Sequence, residues 1–441
     1  PATSPESNAM LVLAICFCAR PRPCDGPIAI FPPVPSITTF CSIGDRAIVV
    51  SALHEVRRRC PNAATVVVGK VLPVAGINFT TVTIKRWHQG VAQEASAIIV
   101  LATDMLDGRW GGNRFEVSML NIAQAADARG TPFAAISFTY ASSVNAVHSI
   151  EHFPASSCLR PRSSASCVDV RSRIEAEAGT ATNCSYPVLK TASALRSAHL
   201  RHTMDLAFLL PQTSPPAGDK AWLDDQLRSG VRTVLGVNLF VYPSIRKTGF
   251  QKLAQTYAGE LCAAHQTNHL LSVLLVAHDF RKRMGKDYEH EGLYMLHVQL
   301  WCARLCPSFP VHVFNEGQPY EPTQSKAAIA RVHGVVSGLM HFLIISAGAG
   351  TPGLALTPVD KFYELYDDLY GGELARALIV RRASKLGELR DAISRFVILL
   401  DRARAILAAS LPRVRRMSGW NLDVLELQDG RCVAGIAGPC V

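Results

Sequence analysis

Arg331 and His333 stand two residues apart in "ARVHGVVSGLMH" (330–341), just ahead of an apolar run. Taken at helical spacing, Val332, Val335, Val336 and Leu339 face a core, and Arg331 and His333 flank the first turn. A guanidinium beside the positive end of a helix suits a phosphate or carboxylate, and histidine is the commonest proton-transfer group near neutral pH. The pattern predicts an anion site with an acid–base group beside it. A second histidine, His278, closes the apolar run "SVLLVAHDF" (272–280) together with Asp279. At the carboxyl end of a strand in a parallel sheet, such residues point into the ligand crevice. Gly44 and Asp45 in "CSIGDRAIVVSALHEVRRR" (41–59) mark a loop turning into a helix. There Asp45 is a helix cap, or the helix amides form an anion or hydroxyl site. Arg162 lies four residues before Ser166 in "LRPRSSASCVDV" (159–170), so a guanidinium and helix amides can face one anion; the alternative is a solvated basic loop. Asp205 in "TMDLAFLLP" (203–211) reads as a cap or linker anchor.

Several chemistries have no signature here. The chain carries no P-loop, no complete GxGxxG after a strand, no HExxH and no GxSxG elbow. "GAGTPG" (348–353) follows an apolar run, but Pro352 spoils it as a dinucleotide loop. The thirteen cysteines are dispersed, and "CFC" (16–18) and "CARLC" (302–306) lack the spacing of a zinc site. They read as small buried residues in a reducing compartment. The net charge of +10 is scattered, which suits anionic small molecules, and no nucleic-acid-binding module is recognisable. The apolar stretch 10–19 is only about half the roughly 20 residues that a spanning helix needs. A cytoplasmic protein is expected, with at most peripheral contact at the inner face of a membrane.

Those residues must be held by a scaffold, and its pattern is regular. Near-continuous apolar runs at 64–70, 96–103, 132–138, 233–240, 272–279, 311–315 and 342–348 alternate with helical stretches. Such runs fit strands covered on both faces. Helices are predicted over 46–61, ended by Pro61, and over 116–130, capped by Gly130. Proline, serine and glycine in "LLPQTSPPAGDK" (209–220) mark a linker. The expected fold is α/β: two doubly wound parallel-sheet domains in a GT-B-like arrangement, with a C-terminal helix. The N-terminal domain spans 1–210, its first 25 residues set apart as loose, and the second spans 211–380. Residues 381–441 form the helix and tail, with a helix over 385–412 and a short final strand beyond it. Its apolar positions are too few for sustained coiled-coil heptads.

Taken in order, these stretches resemble the polysaccharide pyruvyl transferase family, from about residue 40 to 380. "SIGD" keeps Gly44 and Asp45 of that family's first loop, with Ser42 for its asparagine. "LATDMLDGRWGG" looks like its glycine-rich turn, with Ala102 and Thr103 for the paired glycines, and "ISFTYASS" resembles its Ser-Phe-Gly segment. Arg162 to Ser166 resembles its Arg-Asp-x-x-Ser without the acid, and "DLAFLL" matches the close of the first domain. "VAHDF" resembles its Pro-His-Asp with Ala277 for proline, and Arg331-x-His333 followed by "PVDKFYEL" resembles its C-terminal motifs. The resemblance implies phosphoenolpyruvate as donor substrate, a saccharide acceptor that is polymeric or lipid-linked, and no cofactor or metal. Arg331 and Arg162, with Ser166, would hold the donor's phosphate and carboxylate. His333, or else His278 with Asp279 orienting it, would protonate the methylene carbon. A sugar hydroxyl then attacks, phosphate leaves and a second hydroxyl closes the ketal. Gly44, Asp45 and Lys361 would hold acceptor or donor from opposite domains. Two other readings stand beside this one: a GT-B glycosyltransferase using a nucleotide-sugar, and a member of the fold without activity.

Overall fold

Alternating apolar runs and helices become two parallel sheets in the computed structural model. It describes residues 23–34, 36–37, 42–83, 94–102, 113–138, 153–154, 157–162, 201–228, 232–239, 249–281, 290–356, 361–380 and 388–426, with backbone alone at 113–118, 161, 250 and 361. The first half runs β1 (Ile28–Phe31), β2 (Ser36–Ile37), α1 (Ile43–Arg59), β3 (Thr65–Val68), β4 (Lys70–Val71), β5 (Thr80–Val82), β6 (Ala97–Leu101), α2 (Asn113–Arg129), β7 (Phe133–Phe138) and β8 (Cys158–Pro161). Among the described residues its main sheet has the order β5-β3-β1-β6-β7-β8, all parallel, and β2 pairs with β4 alongside.

The second half runs α3 (Ala217–Arg228), β9 (Thr233–Asn238), α4 (Phe250–Thr267), β10 (Leu271–Leu275), α5 (Glu291–Leu305), β11 (Val311–Val313), α6 (Pro322–Ile329), β12 (Gly334–Ser337), α7 (Met340–Gly348), β13 (Gly353–Leu356), α8 (Lys361–Tyr370), α9 (Gly372–Ala377), β14 (Ile379–Val380) and α10 (Glu388–Gly419). Its sheet has the order β11-β10-β9-β12-β13-β14, again all parallel. In each sheet the first strand is central and the order reverses beside it, between β1 and β6 and between β9 and β12. That reversal is where open α/β sheets form a ligand crevice, beyond the carboxyl ends of the strands. Strands β6, β7 and β10 are buried at every residue, which is why their sequences are apolar runs rather than alternations.

One stretch departs from its predicted element. Residues 334–337 form strand β12, paired with β9 and β13, where the spacing from Arg331 predicts a helix. The run 342–348, predicted as a strand, belongs to helix α7, whose Phe342, Leu343, Ile344, Ile345 and Ala347 are all buried. A helix buried all round has no polar face, so apolar periodicity cannot separate it from a buried strand. Gly334 allows the close approach that makes β12 possible: a methyl there would lie 2.5 Å from Leu400 and 2.8 Å from Phe396 of α10.

Of the apolar positions the sequence offers for the C-terminal helix, Leu386 lies outside the described residues and Val397 is half-buried. Helix α10 buries the others, Leu389, Ile393, Phe396, Leu400 and Leu407, each contributing about 1.5–3 kcal/mol on burial. It continues past Pro412 to Gly419 and then turns back to the first domain as a 3-10 segment, Trp420–Glu426, in place of the expected strand. Asn421 fastens that segment: its Oδ1 accepts from Ser137 N (3.1 Å) and Thr203 Oγ1 (3.0 Å), and its Nδ2 donates to Met204 O (2.6 Å). Asp423 accepts from Arg160 (2.8 Å) and Arg201 (3.1 Å).

The reduced-thiol reading of the cysteines needs correction. Cys24 and Cys60 form a disulfide with Cα atoms 5.1 Å apart, tying the segment before β1 to the end of α1, and Cys158 is also disulfide-bonded. Cys262, Cys302 and Cys306 are free and buried. Among the described residues, no helix is long and apolar enough to cross a membrane, and no three His, Cys, Asp or Glu side chains are placed to hold a metal ion.

Candidate functional site

Polar residues end the central strands of the second sheet, as a crevice requires. Asn238 ends β9 and Ser337 ends β12, and Ser337 Oγ donates to Asn238 Oδ1 at 3.2 Å. Asn238 Nδ2 donates to Glu291 Oε1 at 3.1 Å, and Glu291 Oε2 accepts from the backbone N–H groups of His278 and Asp279. Burial pushes the Glu291 carboxyl up to about 7, against the pull of those N–H donors. This network fixes the loop after β10, the floor of the cleft.

The first domain is fastened onto that loop. Ile43 N, at the start of α1, donates to His278 O at 2.9 Å, and Ser42 bridges to Asp279. Gly44 then meets the first turn of α7: a methyl on it would lie 2.4 Å from His341 Nδ1 and 2.5 Å from His341 Cβ. Only a residue without a Cβ permits the two helix N-termini to come this close.

Arg162 follows β8 and points at the same place. Its Nη1 lies 2.9 Å from Asp205 Oδ2 and 3.3 Å from His341 Nε2, and His341 Nε2 lies 3.6 Å from Asp205 Oδ2. The Arg162 and Asp205 side chains are 1% and 2% exposed, whereas His341 is 15% exposed and forms the open edge of the cluster. Burial would raise the Asp205 carboxyl, but the hydrogen bond and charge of His341, the charge of Arg162 and the Ala207 N–H hold it below the ordinary carboxylate value. A guanidinium can only donate, so neutral His341 receives from Arg162, while the protonated ring gains a charge partner in Asp205. The imidazole thus has a partner in either protonation state, a favourable setting for a proton-transfer group.

His278 and Asp279 lie in this cleft but not as a pair. Asp279 is engaged by Arg281, at 2.6 Å, and does not orient the imidazole. His278 is 2% exposed, stands edge-on to Phe342, and has no hydrogen-bond partner for either ring nitrogen among the described residues. Burial first, and the charge of His341 second, lower its pKa to about 3, so it stays neutral.

Arg331 and His333 are elsewhere, and their expected roles need correction. Both precede β12, at the amino ends of the strands, whereas the cleft lies at the carboxyl ends. Arg331 pairs with Asp224 on α3. His333 Nδ1 accepts from Val234 N at 3.0 Å, which makes it a structural ring at the amino ends of the central strands. Burial, and then the charge of Arg404, lower its pKa. Asp45 is in the first turn of α1, where Ser42 rather than Asp45 is the N-cap. Lys361 opens α8, and its side chain and Ser166 lie outside the described residues. His341, Asn238, Glu291 and Ser337 were not singled out from the sequence. Each ends a buried strand or starts the helix beside one, a signal already present for His278.

Comparison with known proteins follows the same geometry. No protein-family profile matches the chain, and no curated protein sequence does. Solved structures do match. The S. aureus protein MnaA, solved with UDP, superposes with a TM-score of 0.53 at 8% identity, covering 91% of this chain and 96% of that one. A Listeria monocytogenes protein described as a UDP-N-acetylglucosamine 2-epimerase gives a TM-score of 0.51 at 8% identity, covering 91% and 95%. The fold is GT-B. At such identities the likeness concerns the fold alone.

Proposed function

We propose that this protein is a sugar-modifying transferase that takes a phosphate-bearing donor in the cleft between its two domains. His341 is the proton-transfer group in this reading. The observation that carries it is the meeting of Arg162, Asp205 and His341, drawn from both halves of the chain, within 3.6 Å of one another. The amino ends of α1 and α7 open on the same cleft, and helix amides there favour phosphate.

The finer reading is pyruvyl transfer from phosphoenolpyruvate to a saccharide. Its support is that Gly44 and Asp45 in the first turn of α1, and Arg162, His278 and Asp279 in loops after strands, which carry the family resemblance, lie together where the two halves meet. In this chain His341, not His333, would protonate the methylene carbon. Arg331 would have no part. A second reading, transfer from a nucleotide-sugar, is favoured by the likeness to MnaA, which was solved with UDP.

The products separate the two. The protein is incubated with phosphoenolpyruvate or with UDP-sugars, each with and without a mixed saccharide acceptor pool. Acceptor-dependent release of inorganic phosphate supports pyruvyl transfer, and release of UDP supports the nucleotide-sugar reading. His341→Ala abolishes either release with little change in melting temperature. Turnover that survives His341→Ala removes the assigned role.

A further inference from the structure

Helices α1 and α7 both start at the cleft, and their far ends come together beneath the carboxyl end of α10. Along the 17 residues of α1 this is a distance of about 25 Å. A groove of about 490 Å³ opens there, lined by Arg58, Arg59, Arg201, Arg415, Arg416 and Trp420, and also by the carboxylates of Glu55, Asp423 and Glu426. Its size falls within the roughly 300–1,000 Å³ of small-molecule sites.

Local partners account for part of this charge. Glu55 takes Arg58 at 2.7 Å, Glu426 takes Arg59 at 2.6 Å, and Asp423 takes Arg201 at 3.1 Å. Helix-end carbonyls take more: Gly419 O accepts from Arg59 at 2.6 Å and Gly348 O from Arg415 at 2.9 Å. Cations at helix carboxyl ends complement the helix dipole, which explains why arginines collect here. It does not explain all of them. Among the described residues Arg415 and Arg416 have no carboxylate within ion-pair distance, and Arg416 has no hydrogen-bond partner either. The buried Nε of Arg59 makes no hydrogen bond, although it lies 3.6 Å from Glu55 Oε2. The guanidinium of Arg201 lies 3.7 Å over the Trp420 ring, which fixes its plane.

We infer that this groove is a second anion site, separate from the interdomain cleft, and that it takes a phosphate-bearing group. Two uncompensated guanidiniums match the double charge of a phosphate, and a stacked arginine suits its planar, bidentate recognition. The volume leaves room for more than one phosphate, as in a diphosphate or a phosphorylated headgroup. This inference does not depend on the transferase reading.

The test titrates inorganic pyrophosphate into the full chain at low salt by calorimetry, beside Arg416→Gln and Arg415→Gln. Both residues are exposed, so the melting temperature should hold. Each substitution weakens binding by about tenfold, the loss expected for one charged contact. Cosedimentation with phosphatidylcholine vesicles, with and without phosphatidic acid, separates the sources. Pyrophosphate binding without vesicle binding assigns a free phosphorylated ligand, and binding to both assigns a lipid headgroup; each supports the site. Absence of pyrophosphate binding, or binding that Arg416→Gln leaves unchanged, overturns it.

Discussion

Replacing Asp205 by alanine removes the carboxylate from an ion pair whose two side chains are 1% and 2% exposed. Two effects add. Arg162 keeps its charge in a site that water does not reach, and breaking a buried pair by deleting one partner costs about 3–5 kcal/mol. Asp205 Oδ1 also accepts from Ala207 N at 2.9 Å, and losing that cap costs about 1 kcal/mol more. The sum is a large part of the roughly 5–15 kcal/mol that holds a domain folded. Urea unfolding followed by far-UV circular dichroism measures it. Asp205→Asn keeps the cap and should lose only the first part. The double variant Arg162→Met/Asp205→Leu removes both charges and should recover most of the loss, because a buried pair gives little over well-packed apolar residues. The dependence on pH has a definite sign. The folded pKa of Asp205 lies below its ordinary value of 3.8, so its contribution is present above that value and is lost as pH falls through the folded pKa. A loss under about 1 kcal/mol for Asp205→Ala at pH 7, or a double variant no more stable than the single one, would refute this account.

Gly44→Ala should be costly in a different way. A methyl 2.4 Å from His341 Nδ1 and 2.5 Å from its Cβ forces α1 and α7 apart, at about 1–3 kcal/mol of overpacking. Displacing the imidazole by about 1 Å should lower turnover by about a hundredfold, read from initial rates. His333→Gln, by contrast, should leave turnover unchanged, and Arg331→Gln should leave the melting temperature nearly unchanged, because its pair with Asp224 is an exposed surface one. Lys326 gives a prediction at alkaline pH. Burial, and then the charge of Arg415, lower its pKa to about 7, while its Nζ donates to Phe208 O and Leu210 O. Between pH 7 and 10.5 the unfolded chain therefore holds a proton that the folded one has released, and stability rises with pH by up to about 1.4 kcal/mol per unit. Lys326→Met should flatten that rise in melting temperature; a profile identical to the parent's would contradict it.

The scaffold was legible where burial writes itself into composition. Six of the seven apolar runs became strands because a parallel strand covered on both faces admits almost no polar residue, and Gly130 ends its helix at φ 65° as predicted. The seventh failed for a physical reason. In "RVHGVVSGLMHFLI" a four-residue strand abuts a helix buried on all sides, so the apolar positions satisfy a helical period across the junction. That frame drew the expected acid–base role to His333, whereas the role proposed from the folded chain falls on His341. With Gly334–Ser337 as the strand, His341 opens the next helix at the carboxyl end of the sheet, and the rule that found His278 finds it too. The pairing of Arg162 with Asp205 was not legible at all. The two are 43 residues apart, and only the folded chain shows that Asp205 is an anchor for a guanidinium as well as a cap.

The 3-10 segment at Trp420–Glu426 has a consequence for the order in which the molecule can be made. Asn421 satisfies Ser137 N and Met204 O, both within the N-terminal half, and Asp423 neutralises the buried Arg160. A nascent first domain emerging from the ribosome therefore has three groups that wait for these partners until residues 420–426 have been synthesised. Its completion waits for that segment, and expressed without residues 420–426 it keeps a buried charge and open backbone groups that invite chaperone capture.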